Sequence, residues 1–142
     1  MGINKGISKE LQDYVINWSY DFFSDHIDLL SFTYHIQATT DWDLSALLYL
    51  DDKILGVYLI GTNQLSNYKD LRGIEGVLLA VDDSIRGQGW GNKLKDYPKT
   101  LGVDYIWGMQ LKSLGNLNDW LKRRELVGET EDCYITLEFY NK

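Results

Sequence analysis

Apolar positions along the chain recur at two spacings. Leu11, Tyr14, Val15, Trp18 and Phe22 fall three and four residues apart, the repeat of one helical face. Ser8 stands ahead of them as an N-cap. Ile27, Leu30 and Tyr34 keep that spacing behind Ser24-Asp25, which predicts a second helix. Residues 1–6 are too short and polar a run to predict a strand, and residues 32–44 fit neither repeat. From Ala46 the pattern becomes β-like. Ala46-Leu47-Leu48-Tyr49-Leu50 and residues 54–60 flank Asp51-Asp52-Lys53, the signature of a hairpin. Gly56 inside the return strand predicts a bulge or a close backbone approach. Residues 62–73 form a long polar connection, either plain surface or a cover over an acceptor site. Residues 74–81 then read as a buried central strand. Glu75, Val77, Leu79 and Val81 share one of its faces unless a bulge intervenes.

Beyond that strand, Trp90, Leu94, Tyr97 and Leu101 mark a helical face, and Gly102 is a natural stop. Pro98 lacks an N–H and clashes with the preceding turn, so a kink or an early end is expected near Tyr97. Residues 103–109 read as a strand. A helix through Leu117, Trp120 and Leu121 follows, with Lys122-Arg123-Arg124 in its last turn, where cations suit the carbonyl end. Residues 125–129 and 133–139 close the chain as two strands.

Composition narrows the class. The chain has 142 residues, 44% apolar and 25% charged, which suits one globular domain with a substantial core. Its division is a helical part over residues 1–45 and a core over residues 46–139. No apolar run approaches the roughly 20 residues of a membrane span, and the N-terminus lacks an apolar signal core, so a cytoplasmic location is expected. A net charge of −7 argues against nucleic acid as a partner and favours a cationic one. With two histidines, His26 and His35, and one cysteine, Cys133, no metal site is expected. His35 and Trp42 read as packing or surface. Cys133 falls in an alternating strand and reads as structural.

The chemistry concentrates after Val81. Asp82-Asp83-Ser84 makes a turn, and Arg86-Gly87-Gln88-Gly89-Trp90-Gly91 opens a helix. Glycines let the main chain approach a ligand, and N–H groups at such a turn attract anions. Neither named phosphate loop fits: Asn92 stands where a dinucleotide fingerprint needs Gly, and no Gly-Lys-Ser/Thr occurs. Glu75 is the carboxylate of an otherwise apolar strand. Burial would raise it toward a useful base, and a wet strand start would leave it idle.

The spacing Arg86-x-x-Gly89-x-Gly91, following a strand that ends in Val81, resembles the acetyl-CoA signature of the GNAT N-acetyltransferase superfamily. The resemblance covers about two thirds of the chain, residues 46–139, and extends to the hairpin with its acidic turn and Gly56. It implies an α/β (α+β) fold with a mixed, strongly twisted central sheet and helices on both faces. It implies acetyl-CoA as cosubstrate, with Arg86, Gly87, Gln88, Gly89, Trp90 and Gly91 holding the pyrophosphate. The main chain of Leu79, Ala80 and Val81 would bind and polarise the thioester carbonyl. Strands 74–81 and 103–109 would splay to admit the pantetheine arm, and Asn116 would contact it. Glu75-Gly76-Val77-Leu78-Leu79-Ala80-Val81 looks like the strand of the histone-acetylating branch whose glutamate is the general base. The residues from Lys112 to Leu117, with Trp120 and the basic triplet, resemble small acetyltransferase-like proteins of bacteriophages, which would place the chain in a host cytoplasm.

One departure stands out. Many members carry L-Y-x-x-x-G-F on the last helix, and its tyrosine protonates the departing thiolate. Here Trp120-Leu121 and Glu125-Leu126 stand in those places. The acid is unassigned among solvent, Ser113 and Tyr105. The expected reaction is direct attack of a primary amine, small-molecule or peptide, on acetyl-CoA in a ternary complex, without a membrane or nucleic-acid partner. The family's use of the closing strands for dimers makes a homodimer an expectation. The alternatives are a non-catalytic acyl-CoA-binding module and a turn without a ligand.

Overall fold

The structure is a computed structural model and describes residues 2–140. In chain order its elements are β1 (Gly2–Lys5), α1 (Lys9–Tyr20), α2 (Leu29–Thr39), β2 (Ala46–Leu50), β3 (Lys53–Gly61), β4 (Gly73–Val81), α3 (Trp90–Asp96), β5 (Tyr105–Leu111), α4 (Leu117–Leu121), β6 (Glu125–Glu129) and β7 (Cys133–Phe139). One sheet takes the strands in the order β1-β2-β3-β4-β5-β7-β6. Each neighbouring pair is antiparallel except β4 and β5, which run parallel. A parallel pair needs a crossover, and α3 supplies it. Val15, Ile16, Phe32 and Ile36 of α1 and α2 pack with Leu47, Val57, Leu59, Leu78 and Ala80 on one face. Leu94 and Tyr97 pack with Leu48, Tyr58, Ile60, Ile74 and Ile106 on the other. The sheet is mixed and helices cover both faces, as the resemblance implied.

Most predicted elements form, and the differences have local causes. Residues 2–5 do form a strand: they pair with β2 from Gly2↔Tyr49 to Lys5↔Ala46 as the sheet edge. Only Ile3 packs toward the core, so the run carries no alternation to read. Leu11, Val15, Trp18 and Phe22 of the predicted α1 stripe pack on the core, and the stripe is wider than predicted on one side and narrower on the other. Val15, Ile16 and Ser19 are buried, whereas Tyr14 is exposed. Ser8 occupies the N-cap position without a side-chain hydrogen bond. The second helix starts later than predicted, because Asp28 is its cap: Asp28 Oδ1 accepts from the Ser31 N–H at 2.8 Å. Its buried residues are Phe32 and Ile36, and Leu30 and Tyr34 face solvent.

The hairpin turns through Asp51 and Asp52, both at positive φ. Gly56 meets both expectations. The β2/β3 register shifts opposite it, and a Cβ there would lie 3.2 Å from Leu48 and 3.3 Å from Leu94. The helix after the glycine loop ends at Asp96, and residues 97–101 tighten into a 3-10 turn around Pro98, closed by Gly102 at positive φ. The basic triplet does not belong to a last helical turn. α4 stops at Leu121, and Arg124 is buried beyond it.

Candidate functional site

The one parallel pair is incomplete. β4 and β5 share rungs from Gly73↔Tyr105 to Gly76↔Gly108 and then part. β5 continues fully paired with β7 to Leu111↔Cys133. β4 stays bound to β3 through Val81↔Gly56. The gap therefore opens between two strands that are each held on their outer side. From Val77 to Val81 the inner edge of β4 has no strand partner, and exposed main-chain N–H and C=O groups require one. A bulge at Val77, where Leu59 pairs Leu78 but Ile60 pairs Gly76, begins at the same point. Bulges bend and twist a strand, which turns β4 away from β5.

Val81 leads directly into the glycine loop. Asp82 Oδ1 accepts from the Ser84 N–H at 2.9 Å and shapes a 3-10 turn. Hydrogen bonding from the Ser84 hydroxyl, and then from its N–H, holds the Asp82 carboxyl below its usual pKa. Ile85 is buried and anchors the loop in the core beside Leu94. Gly87 and Gly89 lie at φ +81 and +85, and a Cβ on Gly87, Gly89 or Gly91 would meet nothing within 4 Å. Gly87, Gln88 and Gly89 are exposed, and Trp90 is half-buried beneath the Lys93 ammonium, 4.2 Å from its ring centroid. Arg86 Nε pairs with Asp83 Oδ1 at 2.8 Å. Both side chains are mostly in solvent, so the pair adds little to stability. A guanidinium has five N–H donors, which leaves others for a second anion.

The bulge changes where Glu75 points. Leu79 and Val81 join the α3-side core, while Leu78 and Ala80 join the side of α1 and α2. Glu75 alternates with Ile74 of the α3-side core, so it shares the α1–α2 side with Leu78 and Ala80, not with Leu79 and Val81. It is buried, on the next-to-last rung opposite Gly61 and Trp107. Asn63 Nδ2 donates to Glu75 Oε1 at 3.1 Å, and Trp107 Nε1 donates to the Asn63 carbonyl at 2.9 Å. The long connection thus covers Glu75 through Asn63. Asn63 also lines a polar cavity of about 500 Å3 with Gln12, Thr39, Thr40, Asp41 and Asp43, at the end of β4 away from the glycine loop.

The other candidates are scattered. Asn116 is exposed at the start of α4, without a capping hydrogen bond. Tyr105 is fully buried at the closed end of the fork, where its oxygen accepts from the Leu65 N–H at 3.0 Å. Ser113 is exposed in the turn after β5. Two residues that sequence reasoning passed over meet under the last rung. Arg124 Nη2 donates to the Tyr58 oxygen at 2.8 Å, and the guanidinium lies 4.4 Å from the Trp120 ring centroid. Arg124 Nη1 approaches Thr136 Oγ1 at 3.5 Å, and Thr136 donates to Gln110 Oε1 at 2.9 Å. The inward alternation of Tyr58 with Ile60 was readable. Nothing local marks Arg124 as buried.

Among the described residues no three His, Cys, Asp or Glu side chains gather as a metal-holding group. No described helix is long and apolar enough to cross a membrane.

No protein-family model matches the chain, and no curated protein matches it in sequence. Solved structures do match. PH1933 from Pyrococcus horikoshii OT3 superposes with a TM-score of 0.75 at 21% identity, over 99% of each chain. Arabidopsis thaliana Naa50, solved with the bisubstrate analogue CoA-Ac-MVNAL, gives 0.70 at 14% identity over 98% of each chain. A GNAT-family acetyltransferase from Listeria monocytogenes gives 0.66 at 13% identity, over 98% of this chain and 94% of that one. The parted parallel pair, the glycine loop at its mouth and these superpositions together show that the chain has the GNAT acetyltransferase fold.

Proposed function

We propose that the chain is an acetyl-CoA-dependent N-acetyltransferase acting on a primary amine. The observation that carries this reading is the gap between β4 and β5, with its unpaired β4 edge leading straight into an open glycine loop. An extended arm with amide groups can add to that edge as a strand does. The amides of Gly87 to Gly91 and the Arg86 guanidinium hold the pyrophosphate at the mouth. Main-chain groups of Leu79, Ala80 and Val81 polarise the thioester carbonyl and stabilise the developing oxyanion. Glu75, through water released by a shift of Asn63, takes the proton of the acceptor ammonium, because only the neutral amine attacks. The polar cavity beside Asn63, with Asp41 and Asp43 on its wall, suits a cationic acceptor. Holding two substrates in one cleft supplies much of the rate.

Thermal unfolding with acetyl-CoA tests the reading. A ligand that binds only the folded chain at a hundredfold excess over Kd stabilises it by about 2.7 kcal/mol, a rise of several degrees. Arg86→Glu places a second carboxylate beside Asp83 and turns the mouth against phosphate, so most of that rise should disappear. No rise in the unaltered chain at saturating acetyl-CoA removes the proposal. A second reading, an acyl-CoA-binding module without turnover, is favoured by α4, which carries Trp120 and no tyrosine. It would give the same rise with no product from any amine.

A further inference from the structure

Aminolysis of a thioester expels sulfur with its bonding electron pair, and that thiolate has to be protonated. Tyr58 and Arg124 stand where β4 and β5 part. The Tyr58 hydroxyl lies 3.0 Å from the point at which a Gly76 side chain would begin, and Arg124 Nη1 lies 3.2 Å from the same point on Gly108. Gly76 and Gly108 are the last shared rung, so the two glycines leave the space in which phenol and guanidinium meet.

Arg124 Nη2 donates to the Tyr58 oxygen. The phenol's own proton has no acceptor among the described residues. Arg124 is 6% exposed, and its Nε has no hydrogen-bond partner among the described residues. A cation kept largely from water gains from negative charge that arrives beside it. Burial pushes the Tyr58 phenol up and the guanidinium pulls against it. The proton is therefore present at neutral pH, and a phenolate formed there is compensated.

We infer that Tyr58 is the acid that protonates the departing thiolate and that Arg124 is its positioning residue, an assignment that rests on the acetyltransferase reading. As the amine nitrogen bonds to the carbonyl carbon, the carbon–sulfur bond breaks and its pair stays on sulfur. The Tyr58 proton passes to that sulfur and gives the thiol. The O–H pair remains on the phenolate, facing the guanidinium. The proton taken from the amine by Glu75 returns through water to Tyr58.

The test compares the full chain with Tyr58→Phe, Arg124→Met and Arg124→Lys, measuring the melting shift with acetyl-CoA and turnover on a panel of primary amines. Tyr58→Phe should lose about 10²-fold in kcat, the low end for a proton-transfer residue, with KM for acetyl-CoA within about twofold and the melting shift retained. Arg124→Lys keeps the cation and should turn over faster than Arg124→Met at matched KM. Tyr58→Phe turning over like the parent, or the two Arg124 variants being equal, overturns the inference and leaves the acetyltransferase reading standing. A parent chain that is stabilised but acetylates nothing overturns it in favour of the binding module. A parent chain that is neither stabilised nor active overturns both.

Discussion

Glu75→Gln should lower turnover about 10³-fold at pH 7 for an amine with a lysine-like pKa near 10.4, and the deficit should shrink as pH rises. The reason is arithmetic. An amide cannot accept the proton, so the variant acetylates only amine that is already neutral in solution. That fraction falls tenfold for each pH unit below the amine's pKa. The variant's log rate should therefore climb with a slope of one until the amine is deprotonated, where it meets the parent. Affinity for acetyl-CoA should be nearly unchanged, because the carboxylate lies on the α1–α2 side of the sheet and the glycine loop follows the far end of β4. Gln also keeps a hydrogen bond to Asn63 available, so the packing over residue 75 survives. Steady-state rates from pH 6 to 10 with isothermal titration of acetyl-CoA would check this. A pH-independent deficit, or a large loss of binding, would remove Glu75 from the role of base.

Gly73→Ala should destabilise the chain by about 3 kcal/mol or more, at the top of the range for overpacked sites. A Cβ on residue 73 would lie 2.0 to 2.4 Å from three atoms of the Tyr105 ring. That ring cannot step aside. Tyr105 has no exposed surface, its oxygen is held by the Leu65 N–H, and Tyr68 and Phe139 pack against it in tilted and edge-on arrangements at centroid distances of 5.6 and 6.1 Å. The backbone cannot yield easily either, because the Gly73 N–H donates to Gln64 Oε1 at 3.1 Å and Gly73 pairs Tyr105 on the first shared rung. A melting point lower by about 10 °C is the expected reading. Gly73→Ala combined with Tyr105→Leu should cost less than the two changes summed, since the second removes the clash that the first creates. Strict additivity, or a single variant as stable as the parent, would show that the ring has room to move.

What the sequence disclosed follows from how locally each feature is encoded. The hairpin, the central strand, the closing strands and the glycine loop were readable because alternation, apolar runs and paired glycines are written in neighbouring residues. The break at Pro98 was readable for the same reason. β1 was not, since an edge strand with one inward side chain owes its structure to β2. The side on which Glu75 sits was not, because one extra residue at Val77 reverses the alternation, and a bulge is decided by the partner strand. Arg124 was misread because a basic triplet after a helix has an ordinary explanation. Its burial depends on Tyr58, Gly108 and Thr136, residues that are distant in sequence. The part of the candidate site carried by the loop was therefore legible as local structure, and the part assembled across strands was not.

The position of β7 has a consequence for synthesis. β5 shares seven rungs with β7 and four with β4, so one wall of the gap is held chiefly by residues 133–139, which are made well after β4 and β5. A nascent chain that has emerged only through β5 possesses the glycine loop and β4 but lacks the strand that keeps β5 apart from it. Ligand binding should then appear abruptly once residues 133–139 have left the ribosome, and truncations before Cys133 should be unable to hold acetyl-CoA even where the first five strands have begun to fold.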